Sequence, residues 1–173
     1  MHKELIHSML KPDALEYGLR ETILAELQQE GECEIITSVK LIMNMSQIEA
    51  IYPRFKDKRA KPAVFAYFTS HETEHLAIMG EPGLYERLDA VKGQTGTGRG
   101  IRGKYYTRYT RLTPEELEKW LKGTLINIGD IDLEMFGRDI LHVADTIEDS
   151  LRGLSVIMSP DQLRLIRLKG FDI

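Results

Sequence analysis

The chain predicts an α/β protein of the α+β sandwich type, an antiparallel sheet in βαββαβ order with helices on its faces. Three observations carry this expectation. Apolar runs of strand length alternate with segments whose apolar residues recur at helical spacing. Two short β-rich runs fall together in the middle of the chain, as a hairpin would. The 173 residues, 42% hydrophobic and 29% charged, have the size and composition of one globular core without global disorder.

Each element has a local reason. Residues 5–10 form a short buried strand that ends at Lys11-Pro12-Asp13, where Pro12 cannot donate to a ladder and Asp13 suits a helix N-cap. From 14 to 29, Leu15, Leu19, Ile23, Leu24 and Leu27 recur at helical spacing, and Gly31 lies just past the end. Residues 33–43 are β-rich, with Ile35, Ile36, Val39, Leu41 and Ile42. Ser46 and Glu49 have capping-box spacing and open a helix through Tyr52 and Phe55. Residues 64–69 and 76–79 predict two strands joined as a hairpin, and 82–91 an amphipathic helix. Residues 93–100 hold too much glycine to be anything but loop. Thr113-Pro114-Glu115-Glu116 opens a helix running to about 122, with proline at the first helical position. A last strand, 140–143, leads into a helix over 146–158. The plan is ferredoxin-like.

Composition excludes several classes. No apolar run reaches the roughly 18 residues needed to span a bilayer, and the N-terminus lacks the apolar stretch of a secretory signal. No membrane partner is therefore expected. The single Cys33 fits a reducing, cytoplasmic location, and Glu32 and Glu34 beside it disfavour a thiolate. A net charge of −4 argues against bulk nucleic-acid binding. It hides six cations between 92 and 111 (Lys92, Arg99, Arg102, Lys104, Arg108, Arg111) with no acidic residue among them. Interleaved with glycines, such a stretch suits phosphate oxygens.

Two motifs are set aside on context. His71-Glu72-Thr73-Glu74-His75 satisfies the zinc-protease pattern, but that chemistry needs both imidazoles on one helix face, and this segment lies between predicted strands. Gly93 to Gly98 has P-loop glycine spacing, yet Arg99-Gly100 follows in place of the lysine and the magnesium-binding hydroxyl.

His142 is the strongest candidate for chemistry. Apolar residues precede it, and Asp145 and Glu148 follow with the spacing of an N-cap and its N3 partner, placing the imidazole at a strand-to-helix junction. A histidine there can face substrate while a carboxylate holds its other ring nitrogen, as a nucleophilic imidazole requires. With Lys11 at the end of the first strand and the basic, glycine-rich loop before it, the suited chemistry is phosphoryl transfer through a phosphohistidine.

Taken together, these residues resemble the nucleoside diphosphate kinase family, over residues 3 to 103 and again 137 to about 154. The pieces that carry the likeness are Lys11-Pro12-Asp13 with Gly18-Leu19, the triplet Ile101-Arg102-Gly103, and the strand-histidine-helix around His142. The resemblance implies that His142 accepts the γ-phosphate in a ping-pong cycle and that Glu148 holds its second ring nitrogen. Lys11 and Arg102 would bind phosphates with Thr95, and Tyr52 would sit beside the histidine. Arg87 is a further candidate for a phosphate arginine. The partners would be nucleoside di- and triphosphates and other copies of the chain in a homo-oligomer. Mg²⁺ would bridge the nucleotide phosphates with few or no protein ligands.

The chain also departs from the family pattern. Val143-Ala144 replaces a small pair that supplies a hydroxyl. Asp139 replaces an asparagine where phosphate or ribose should lie, a charge that would cost one to a few kcal/mol if close to the phosphates. The base-stacking aromatic has no match, since Ala60 falls at its position, and Phe65, Tyr67 or Tyr85 would have to substitute. The catalytic-type domain spans 1–158, with an atypical insert over 104–136 rich in tyrosine and arginine, and a C-terminal extension over 159–173. Leu163, Leu165, Ile166 and Leu168 give that extension an apolar surface able to dock within the chain or on a neighbour. Two other readings stay open: a nucleotide-binding or regulatory protein with weakened or lost turnover, and single-strand nucleic-acid binding through the insert.

Overall fold

The computed structural model describes residues 3–55, 61–94, 97–105, 119 and 138–173. Among the described residues, four strands form one antiparallel sheet: β1 (Glu4–Leu10), β2 (Cys33–Leu41), β3 (Thr73–Gly80) and β4 (Leu141–Val143), in the order β2-β3-β1-β4. The central strands β1 and β3 are buried almost throughout, with His7, Ser8, Thr73, Glu74 and His75 as buried polar residues among their apolar ones. The helices among the described residues are α1 (Pro12–Glu16), α2 (Arg20–Glu30), α3 (Met45–Ile51), α4 (Lys61–Ser70), α5 (Leu84–Lys92), α6 (Gly100–Tyr105), α7 (Ile147–Ile157) and α8 (Pro160–Leu168). This is the expected ferredoxin-like α+β sandwich.

Strand alternation divides the core. Ile6 and Leu10 of β1 face α2, α5 and α6, packing with Ile23, Leu27, Leu88 and Ile101. Leu5 and Met9 face the opposite layer, where α3, α4, α7 and α8 contribute Ile48, Phe68, Leu154 and Ile166. Among the described residues, no helix is long and apolar enough to cross a membrane.

Residues 64–69 are not a strand but the body of α4. Val64, Phe65, Tyr67 and Phe68 are the buried positions, a helical rather than alternating pattern, and burial of that face overrides the β-preference of the aromatics. β3 therefore pairs with β2 across α3 and α4 instead of closing a hairpin. The helix expected over 14–29 is two helices, broken at Gly18, whose φ of +66° suits a residue without Cβ. Asp13 lies inside α1 rather than capping it; the N-cap is Lys11, with no side-chain cap.

The capping pairs fall close to the expected residues but not on them. Asn44 and Gln47 form the capping box of α3 in place of Ser46 and Glu49. Thr146 accepts the Asp149 N–H at the start of α7 in place of Asp145 and Glu148. The helix expected from Thr113 lies outside the described residues. The C-terminal extension folds back within the chain. Its α8 buries Ile166, and Gln162 donates to the Ser38 carbonyl at 2.8 Å.

Candidate active site

β4 is three residues long, and its alternation decides where His142 points. Leu141 and Val143 enter the core beside α2 and α5, so the imidazole emerges on the α7 side. His142 pairs with Met9 in register, its carbonyl accepts the Ser8 hydroxyl at 2.7 Å, and Ala144 ends the strand by donating to the His7 carbonyl. The half-buried ring lines a cleft of about 450 Å³ shared with Tyr52, Phe55, Arg54, Lys92 and Arg102. Burial above all, then the neighbouring His7, Lys11 and Arg102, hold its pKa well below the ordinary imidazole value. The ring is neutral at physiological pH, the form that can attack.

Tyr52 closes α3 as its C-cap, with its ring 5.0 Å from that of His142 and stacked on Phe68. Its hydroxyl is buried without a hydrogen-bond partner, and burial raises its pKa well above the usual phenol value. Lys11, 4% exposed at the end of β1, lies 5.8 Å over the rings of both Tyr52 and Phe68. Arg102, on α6, donates from Nε and Nη2 to the Leu141 carbonyl at 2.8 and 2.6 Å.

Asp139 joins these two cations. Its carboxylate pairs with Lys11 through Oδ1 and with Arg102 Nη2 through Oδ2, the latter at 2.9 Å. A tight turn aims it there: Leu141 N–H donates to the Asp139 carbonyl at 2.7 Å across Ile140, whose φ is +69°. For a β-branched residue that conformation costs roughly 1–3 kcal/mol. It is held by the burial of the Ile140 side chain, by its N–H donating to Asp13 at 3.0 Å, and by its carbonyl accepting from Lys11 N–H at 2.9 Å. Burial pushes the Asp13 carboxyl up to about 6, against the pull of Lys11.

Lys11, Tyr52, Arg102, Asp139 and His142, expected together, thus come from four separate segments to one place. Two expected residues do not join them. Glu148 is exposed and lines a different groove with Leu151 and Ser155, because α7 starts one residue later than expected and turns Asp149 toward the cleft. Arg87 spends its guanidinium on the carbonyls of Gly31, Glu81 and Pro82, at 3.1, 2.9 and 3.0 Å. It clips α5 to the end of α2. Thr95 and Ala60 lie outside the described residues. Phe65 and Tyr67 are core residues, and Tyr85 packs against the far layer; among the described residues, Tyr52 and Phe55 bring aromatic rings other than histidine to the cleft.

Sequence reasoning missed His7, Arg54 and Phe55 and did not single out Lys92 from its basic run. Arg54 and Phe55 directly follow Tyr52, a signal that was present in the chain. The histidines of the zinc-like motif do not converge: His71 bonds the Tyr67 carbonyl, whereas His75 is buried in β3. The basic run beyond residue 105 lies outside the described residues; Lys104 and Tyr105 both bond Glu26 of α2. Cys33 donates to the Leu27 carbonyl, and burial pushes its thiol up to about 11.

Fold and cleft together define an α+β protein with a neutral histidine at a sheet edge, facing a cation-lined opening. The fold is that of the nucleoside diphosphate kinases. The Aquifex aeolicus nucleoside diphosphate kinase superposes with a TM-score of 0.66 at 17% identity, covering 93% of this chain and 99% of that one. The Borrelia burgdorferi enzyme, solved as a transition-state mimic with bound vanadate and ADP, superposes with a TM-score of 0.64 at 14% identity, covering 92% and 89%. No protein-family model matches the sequence, and no curated protein does.

Proposed function

We propose that the protein is a phosphotransferase of the nucleoside diphosphate kinase type, moving the γ-phosphate of a nucleoside triphosphate to a nucleoside diphosphate through phospho-His142. The observation that carries this is the meeting of a neutral imidazole and an unpaired tyrosine hydroxyl at one cleft with Arg102 and Lys92, with Lys11 close behind. A ring nitrogen of His142 attacks the γ-phosphorus as the bond to the β–γ bridging oxygen breaks. The diphosphate leaves with that oxygen's charge, and a second diphosphate reverses the step. Lys11 and Arg102 stabilise the equatorial oxygens, and Tyr52 donates its orphan hydroxyl to the transferring group. Phe55 offers an aromatic surface for the base.

Among the described residues, no three His, Cys, Asp or Glu side chains converge as a metal cage. The donor set suits an ion bound by phosphates, so Mg²⁺ would enter with the nucleotide and supply charge neutralisation when bound. A homo-oligomer belongs to the same proposal. The ADP and vanadate held by the Borrelia enzyme on this fold support a phosphoryl-transfer reading of the cleft.

One observation favours a second reading, a nucleotide-binding or regulatory protein with weak turnover. Asp139 occupies both phosphate cations, and a polyphosphate must compete with it. Incubation with γ-labelled ATP separates the two. The kinase reading expects acid-labile, alkali-stable label that vanishes in His142→Ala. The regulatory reading expects nucleotide binding with no label.

A further inference from the structure

Beneath His142 lies a buried line of imidazoles that neither binds phosphate nor attacks it. Register places them together. Met9 of β1 pairs with His142 on one side and His75 on the other, so both rings share the sheet face of Met9, and His7 sits two residues along on that face. His7 Nε2 meets His75 Nδ1 at 3.0 Å, and the two rings lie within 2° of parallel. His75 Nε2 meets the Thr73 hydroxyl at 2.9 Å, and that hydroxyl donates to the Leu41 carbonyl at 3.1 Å.

The end of this line fixes its polarity. Thr73 has one proton and gives it to Leu41, so its oxygen must accept from His75 Nε2–H. His75 Nδ1 is then bare and accepts from His7 Nε2–H. His7 Nδ1 is left as a lone pair with no hydrogen bond among the described residues. Both rings are held neutral by burial, His7 with a pKa lowered to about 4. The lone pair lies against α7 at Gly153, where a Cβ would come within 2.5 Å of it. His7 also lines the cleft, and its ring centroid is 6.3 Å from that of His142, edge on. No carboxylate among the described residues bonds the His142 ring.

We infer that His7 is the positioning residue for His142: its Nδ1 lone pair receives the proton-bearing ring nitrogen of the nucleophile, and Thr73 and His75 keep that lone pair available. No proton leaves. The His7 and His142 rings lie 6.3 Å apart between centroids, without a hydrogen bond in this structure. They close to an N–H···N bond as the other His142 nitrogen bonds phosphorus, as loose contacts around a resting site commonly do on reaction. An imidazole line thereby performs the orienting work for which the sequence suggests Glu148. Gly153 is the opening that admits it.

This inference rests on His142 being the phosphate acceptor, and its test separates the two ideas. Nitrogen-15 NMR of histidine-labelled protein reads the His142 tautomer whether or not any label is taken up. The expected result is one dominant tautomer in the wild type and a mixture in His7→Phe, which keeps a planar ring and loses the acceptor. Thr73→Val, remote from the cleft, frees the His75 tautomer and should shift the His142 signals in the same direction; it serves if His7→Phe does not fold. In single-turnover labelling, His7→Phe should slow phosphate uptake by roughly 10- to 100-fold with nucleotide Kd unchanged. His7→Asn, whose amide oxygen can stand at the Nδ1 position, should recover most of that loss. Unchanged His142 signals in His7→Phe and Thr73→Val overturn the inference, as does a parallel loss of Kd and rate. Absence of label in the wild type instead overturns the kinase reading and leaves the NMR result to decide the positioning role.

Discussion

Arg102 Nη2 lies 2.9 Å from Asp139 Oδ2, and the same carboxylate's other oxygen holds Lys11. One carboxylate thus holds both cations and offsets half of their charge. Replacing Asp139 by Asn should tighten nucleoside triphosphate binding by about tenfold or more, because a unit charge a few ångströms away is worth one to a few kcal/mol at the screening of a half-exposed cleft. The same substitution should lower folding stability by about 1–3 kcal/mol, since it weakens the pairing of the buried Lys11. Calorimetric titration and denaturant melts read the two opposite effects.

Gly153 lies against the buried His7 ring. Helix propensity alone says that Gly153→Ala within α7 stabilises by up to about 1 kcal/mol. The approach of His7 Nδ1 to 2.5 Å from the new Cβ says otherwise. A net loss of about 1–3 kcal/mol is expected. Adding His7→Ala should recover part of it, a coupling that a double-mutant cycle measures.

The buried histidine sets a pH dependence. Folded His7 has a pKa of about 4 against 6.5 in the unfolded chain. Between those values the unfolded state binds more protons, so His7 makes stability fall as pH falls from about 6.5 to about 4, by about 3 kcal/mol in all. Asp13 acts in the opposite sense, because its raised carboxyl makes stability fall as pH rises toward about 6. The difference between wild type and His7→Asn in denaturant melts isolates the histidine. That difference should shift in favour of the wild type by about 3 kcal/mol on going from acid to neutral pH.

Arg87 and Glu148 should behave as structure places them. Arg87→Ala should cost about 1 kcal/mol of stability, chiefly through the part-buried Gly31 carbonyl, and leave nucleotide affinity unchanged. Glu148→Ala should alter neither labelling nor affinity.

Much of this was legible in the chain, for physical reasons. Lys11-Pro12-Asp13 must end a strand because proline cannot continue a ladder, and three short apolar residues around His142 can only be a strand end. Within a ferredoxin-like plan, these points let Lys11 and His142 converge. The aromatics of α4 misled because Phe and Tyr at adjacent positions satisfy strand preference until burial chooses a helix. Cap residues slipped by one or two positions, which was enough to turn Glu148 away and Asp149 inward. Arg87 looked like a phosphate ligand because a guanidinium and three carbonyls 5, 6 and 56 residues away leave no local signal. The His7–His75 line depends on register between strands 68 residues apart, and no local pattern in one sequence encodes it.

The most direct test is phosphate uptake by His142 as a function of pH, using γ-labelled ATP with Mg²⁺ and mass-spectrometric location of the phosphohistidine. With the imidazole pKa held well below its ordinary value, the neutral nucleophile persists into acid, so label should form on His142 at about pH 5.5 nearly as fast as at about pH 7.5. No label at any pH, or equal label in His142→Ala, would contradict the account.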